Sequence, residues 1–399
     1  MPRFSSTTFL TLSAFLRCAP RLLSLLILIG VLWIGQPRAV LAQAAAIDTI
    51  CPAVGVQERG GSFQPGGLIL TSFDRDALWI YNIDNQRRYP LPETSPCTRN
   101  CRLSPDARWL TYFNDLTNAF NKMRTDGTQR TFVTDYAADV QWWSDRIFLI
   151  WTPGHQAYLQ EEGGTDRRYL DVSGVIAVQP GGLWALMVQQ NGDSFERALI
   201  DLERRGLVGI SDGRVHLGAD QGYFNAHAWS PDGRFLAYVA PVDPDAEIVS
   251  GEIFGIQPGD SAPAQWTDLA AAYGPVRING LAVGDLSWSP DSARIAFWVT
   301  EVRGPDNLGA AMLHVLDVAA GTVRAYCGYT TTRHTPNPPR LIWSPDGTHV
   351  AFAGDMADDD RGHLVLALNT ESGVFTVLST GVYPALGTPN LVAWGRSPQ

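Results

Sequence analysis

The residues best placed to do chemistry in this chain are carboxylates near its C-terminal end. Asp358-Asp359-Asp360, with Asp355 three residues before them, could hold Ca²⁺ through several oxygens, although the spacing is not that of an EF-hand loop. The same stretch supplies Arg361, and two nearby segments add Arg303, Asp306, Tyr329, Arg333 and His334. These aromatic, cationic and acidic side chains suit ligand contacts, and Pro336, Pro338 and Pro339 stiffen the segment that carries three of them. Signals for covalent catalysis are poor. Gly209-Ile210-Ser211-Asp212-Gly213 matches the serine-hydrolase elbow, but it lies after an outer strand and before Arg214-Val215-His216-Leu217, with no helix to complete the elbow. The seven histidines are scattered one per element, none at a ligand spacing from another. No catalytic residue is therefore assigned.

The elements that must position these side chains follow from one phrase. Trp229-Ser230-Pro231-Asp232-Gly233 recurs as Trp288-Ser289-Pro290-Asp291 and Trp343-Ser344-Pro345-Asp346-Gly347, each between two short apolar runs. Proline presets the first turn position, aspartate suits the second and glycine takes the positive φ that follows, so the phrase reads as a hairpin. Worn copies begin at Phe63, Leu103, Trp143 and Val178. The starts at 63, 103, 143, 178, 229, 288 and 343 lie 40, 40, 35, 51, 59 and 55 residues apart, the period of propeller blades. Third strands are legible in Leu78 to Asp84, Ala198 to Leu202, Leu313 to Val318 and Leu364 to Leu368, and each leads through a polar turn to a short outer strand.

These turns, followed by aliphatic-Ala-aromatic strands such as Ile295-Ala296-Phe297 and Val350-Ala351-Phe352, resemble the TolB-like or WD40-like β-propeller repeats over roughly residues 58 to 396. The expected fold is all-β: a seven-bladed propeller of four-stranded antiparallel blades, with six or eight blades as the alternative. Closure is expected at the C-terminus, because Asn390-Leu391-Val392-Ala393-Trp394 repeats the innermost-strand pattern and has no blade of its own. TolB is similar to a six-bladed propeller behind a small α/β domain, for which the segment before residue 58 has no room. A hydrolase domain such as the one that accompanies propellers in the prolyl oligopeptidase family is not expected after the last strand.

Residues 1–42 read as an export signal: Arg3, Arg17 and Arg21 precede the apolar run Leu22 to Gly35, and Val40-Leu41-Ala42 offers a cleavage site. Residues 43–57 form a lead-in, and 58–399 the propeller. The formal charge of −10 becomes −14 without the four arginines of that signal, which excludes nucleic acid as a partner. Export makes Cys51, Cys97, Cys101 and Cys327 disulfide candidates. Three pairings are possible; Cys97 with Cys101 closes a small loop around Thr98-Arg99-Asn100 and leaves Cys51 for Cys327 by elimination.

The expectation is a monomeric, secreted or envelope-associated propeller that binds an extracellular protein, peptide or glycan without catalysis, touching a membrane only if its signal is retained. The alternative is a metal-assisted hydrolase or lyase acting at the channel mouth. Long segments at 241–250, 269–280, 300–309, 328–339, 354–362 and 381–389 are read as loops that emerge on one face, where the binding residues lie.

Overall fold

The computed structural model describes residues 46–398 except 62, 74–75, 95–100, 155, 223, 281–284, 305–306, 333–336, 358, 360 and 380–389. The export signal thus lies outside the described residues. Seven antiparallel sheets follow one another along the chain, giving the seven-bladed propeller. Blade 2 is typical, running outward through Arg102–Leu103, Trp109–Asn114, Ala119–Arg124 and Thr131–Thr134.

A serine hydroxyl organises the recurring turn. In blades 2, 5, 6 and 7 the hydroxyls of Ser104, Ser230, Ser289 and Ser344 donate to the aspartate two residues on, Ser230 to Asp232 at 2.7 Å. Each also accepts the backbone NH five residues on, at 2.9–3.0 Å. The fourth position is left-handed whatever its residue: Gly233 and Gly347 there have φ of 71° and 70°, Ala107 and Ser292 both 59°. In the worn copy of blade 4, Gln179 replaces the serine, and its side-chain oxygen accepts the Trp184 NH at 3.1 Å. Burial pushes the Asp232, Asp291 and Asp346 carboxyls up, but hydrogen bonds from serine and backbone NH groups outweigh it and hold all three below the ordinary aspartate value.

Strand alternation then builds the core. Successive residues of a strand face opposite sides of the sheet, so Ile295, Phe297 and Val299 pack towards blade 5 while Ala296 and Trp298 pack towards blade 7. Seven apolar clusters result, each shared by two neighbouring blades. Tryptophan ring NH groups join several inner strands: Trp288 donates to Ala228 O at 3.1 Å and Trp343 to Ser287 O at 2.9 Å.

Closure is as expected. Asn390–Gly395 pairs antiparallel with Leu68–Phe73 and becomes the innermost strand of blade 1, before Asp76–Asn82 and Arg87–Leu91. Trp394 is 1% exposed, and its ring NH donates to Gly66 O at 3.0 Å.

The lead-in belongs to the outer layer of the ring. Ala46–Ile50 pairs in parallel with the outer strand of blade 6, Thr322–Thr330, and Val56–Glu58 pairs in parallel with the outer strand of blade 7, Phe375–Ser379. Between them Cys51 is disulfide-bonded to Cys327, as elimination suggested. Gly55 lies flat on Gly328, where a Cβ would come within 2.5 Å of the Gly328 carbonyl oxygen. Cys101 is also disulfide-bonded; Cys97 lies outside the described residues.

Two of the expected loops are ordered elements. Segment 269–280 contains the short helix Leu269–Tyr273 and the strand Val276–Ile278, and segment 300–309 lies in the hairpin of Arg294–Gly304 with Asn307–Asp317. Their polar turn chemistry hid a pairing that only the neighbouring strand supplies, since Val276–Ile278 pairs with Val299 to Glu301. Segment 381–389 lies outside the described residues.

Two stability outcomes follow. Trp394→Ala should cost about 3–5 kcal/mol in chemical denaturation, because it empties the closing interface. A Cys51→Ser/Cys327→Ser variant should lose about 2–5 kcal/mol and expose residues 46–58 to limited proteolysis while the ring stays intact.

Candidate functional site

The inner strands surround a channel of about 540 Å³. Near one mouth its wall carries two charge pairs: Arg102 on Asp139 at 3.3 Å and Arg340 on Asp285 at 3.8 Å. Gln141 donates to Asp139 at 2.8 Å, and Asn279 donates to the Asp285 carbonyl at 2.9 Å. Desolvation lowers the Arg340 pKa; Asp285 opposes the shift and Arg102 adds to it, so the two guanidinium groups feel each other across the channel. The pairs span blades 2 and 3 and blades 6 and 7: Arg102 and Asp139 stand on inner strands, whereas Arg340 and Asp285 stand two residues before theirs.

One side of this mouth is raised. The second and third strands of blade 6 have 11 residues each, against 6 in the second strands of blades 5 and 7. At the rise of an extended chain the extra five residues add about 16 Å. Val276–Ile278 pairs with this extension, and Tyr273 of the short helix hydrogen-bonds His314 Nε2 at 2.9 Å. The helix is itself anchored by the buried Glu252, which accepts the Leu269 and Ala270 NH groups at 2.9 and 2.8 Å and the Thr267 hydroxyl at 2.6 Å. A wall so braced has little freedom to lose on binding.

No family model and no curated protein matches the chain. Solved structures do. TolB from Acinetobacter baumannii is 14% identical over 89% of this chain and 95% of its own, with a TM-score of 0.40. Oligogalacturonate lyase from Vibrio parahaemolyticus is 11% identical over 79% and 86%, with a TM-score of 0.50. The periplasmic gluconolactonase of Pseudomonas aeruginosa is 15% identical over 83% and 98%, with a TM-score of 0.45. At these identities the likeness is one of fold, and it spans both TolB and enzymes.

The structure distributes the sequence-derived site residues unevenly. Arg303 is exposed on the raised strand and pairs with Glu301 at 3.2 Å. Tyr329 is 5% exposed, packed against Trp298, Phe352 and Phe375, and its hydroxyl donates to the Asp355 carbonyl at 2.9 Å. It is a core residue: the proline-stiffened segment was expected to present it, but the aromatic cluster between blades 6 and 7 holds it. Asp355 is buried and accepts the Thr332 hydroxyl. Asp359 takes a bidentate grip from Arg361, which reaches on to Glu58 of the lead-in at 2.7 Å. Asp306, Arg333, His334, Asp358 and Asp360 lie outside the described residues. Of the four carboxylates considered for Ca²⁺, the two described ones are thus engaged by Thr332 and Arg361, and no group of three metal-ligating side chains occurs among the described residues. Ser211 is exposed between the third strand of blade 4, Ser194–Asp201, and its outer strand, Val215–Ala219, not beyond the outer strand as the sequence suggested; it accepts only the Gly213 NH in its own turn, at 3.2 Å.

Arg102 and Arg340 were not selected from the sequence, and a signal existed for Arg340 alone. Asp285 and Arg340 each stand four residues before the turn serine of their blade, so superposing the repeats puts opposite charges at one level of the channel.

Burial pushes the His314 and His349 imidazoles down to about 4 from 6.5. Both stay neutral in the folded ring while the unfolded chain takes up protons from about pH 6.5 downward, so their stability contribution is complete above pH 6.5 and is lost as the pH falls to 4. Each should cost up to about 3 kcal/mol over that window, at 1.36 kcal/mol per pH unit. Urea midpoints between pH 7 and pH 4 test this, and His314→Gln should be less stable at pH 7 but show a flatter acid limb.

Proposed function

We propose that this chain is an exported, non-catalytic binding propeller that seats a segment of an extracellular protein, peptide or glycan across the channel mouth. The reading rests on the braced wall of blade 6 standing beside the Arg340–Asp285 pair, with the Arg102–Asp139 pair across the channel, which together offer a rigid groove with directed charge. Loops and extensions on a rigid ring are where such proteins place recognition. The Cys51–Cys327 disulfide favours a location outside the reducing cytosol. Among the described residues no helix is long and apolar enough to cross a membrane.

The test is affinity capture from an envelope extract with the purified protein, followed by binding measurements on whatever is retained. Combined Arg303→Gln and Arg340→Gln substitutions should weaken binding by about tenfold, or 1.4 kcal/mol, with thermal stability unchanged. Full affinity in that variant would move the contact off this mouth. Metal-dependent turnover of a polysaccharide or ester by the purified protein, abolished by a chelator, would replace the reading with that of a hydrolase or lyase.

A further inference from the structure

The opposite face of the ring holds a second feature. Turns that join inner to second strands, and third to outer strands, emerge there, away from the blade 6 wall. Where the closing strand leaves blade 1, residues Arg396, Ser397 and Pro398 cross onto blade 2 and, with Arg108, Arg124 and Thr125, enclose a pocket of about 140 Å³. We infer that this pocket is a binding site for a phosphate group, taken as free phosphate or as a phosphate monoester.

Three arginines line it, drawn from three separate stretches of chain, and each is anchored through its backbone or its side chain. The Arg108 backbone NH is tied to the Asp106 carboxylate at 3.1 Å in the recurring turn. Arg124 ends its strand with the guanidinium carbon 5.2 Å from the Trp109 ring centroid, and its Nε donates to Gln129 at 3.1 Å. Arg396 is held by its backbone: its NH donates to Ala107 O at 2.7 Å, and its carbonyl accepts the Thr125 hydroxyl at 2.8 Å. The contact is too close for a side chain at the preceding position, since a Cβ on Gly395 would lie 2.4 Å from Thr125 Cγ2.

Charge makes the cluster informative. Most other described arginines have a carboxylate within 4 Å, yet these three have none among the described residues, in a chain whose formal charge is −10. Neighbouring carboxylates have partners of their own: Asp106 accepts the Ser104 hydroxyl and Asp126 the Thr128 hydroxyl at 2.7 Å within their turns, and Asp84 accepts the hydroxyl of Ser397 at 2.7 Å. Three arginines on one small pocket, with no carboxylate within 4 Å among the described residues, leave positive charge that an anion would neutralise. A phosphate, with close to two negative charges and oxygens that match guanidinium forks, fits better than a singly charged carboxylate, which one arginine satisfies. The pocket is well below the roughly 300–1,000 Å³ of a cleft that takes a whole drug-sized ligand, so it suits a free anion or one group of a larger molecule.

Calorimetric titration of the full chain with inorganic phosphate and with glycerol phosphate, at constant ionic strength and with sodium acetate as comparison, tests the site. Phosphate binding in the millimolar range or tighter, weakened by about tenfold or more in Arg108→Gln/Arg396→Gln and unchanged in Arg303→Gln, is the expected result. Tighter binding of glycerol phosphate than of phosphate identifies an ester as the natural form, and the reverse identifies the free anion. Absence of binding by either probe, equal affinity for acetate, or unaltered phosphate affinity in a double variant that keeps its near-ultraviolet circular dichroism would overturn the assignment. Because Arg303 and Arg340 are on the other face, failure here leaves the reading of the channel mouth standing, and the converse holds too.

Discussion

Closure of the ring is the constraint on which the other features depend. A blade is a sheet with two apolar faces, and neither face is covered until neighbours stand on both sides. Blade 1 has no inner strand of its own, because the chain before Leu68 is occupied along the outer edges of blades 6 and 7. Asn390–Gly395 fills the gap and at the same time completes two cores. Leu391 and Trp394 belong to the cluster between blades 7 and 1, and Val392 and Ala393 to that between blades 1 and 2. The two ends of the described chain therefore do complementary work, one from inside the ring and one from outside.

The outer strap joins elements that the inner strand does not reach. Its two parallel pairings bridge blades 6 and 7, the Cys51–Cys327 disulfide ties it to the outer strand of blade 6, and Arg361 on Glu58 ties it to the loop of blade 7. Arg59 extends it to blade 1, donating to Ile83 O at 2.8 Å. The outer strands of blades 6 and 7 are thereby covered, and the edge passes to the short strap strands of five and three residues. The blades so bound include blade 6, which carries the raised wall.

The two faces consequently differ in character. At the channel mouth, charges of both signs are paired across blades, and the wall of blade 6 rises beside them. On the turn face, three arginines line one pocket with no carboxylate partner among the described residues, where the C-terminal segment crosses blade 2. The first arrangement offers a groove, the second a small cationic pocket, and both are built on backbone held by inner strands or by the recurring turn.

Local chemistry in the sequence determined the repeat. Serine, proline and aspartate act on backbone groups within five residues, so the turn is readable without its surroundings, and the alternation of apolar residues announces strands that are covered on both faces. The closing strand was legible for the same reason, since Asn390 to Trp394 copies a pattern already seen. Cys51 could be matched to Cys327 by counting, but the parallel strands on either side of it could not, because Ala46–Ile50 and Val56–Glu58 form only where another blade presents an open edge. The fate of Tyr329 shows the same limit. Its sequence neighbourhood suggests a presented aromatic side chain, and only the stacking of blade 6 on blade 7 reveals the aromatic pocket that buries it. Arg102 meets Asp139, and Arg108 meets Arg396, through the rotation of one blade against the next, a relation that lies between sheets and leaves no mark on the residues next to it in the chain.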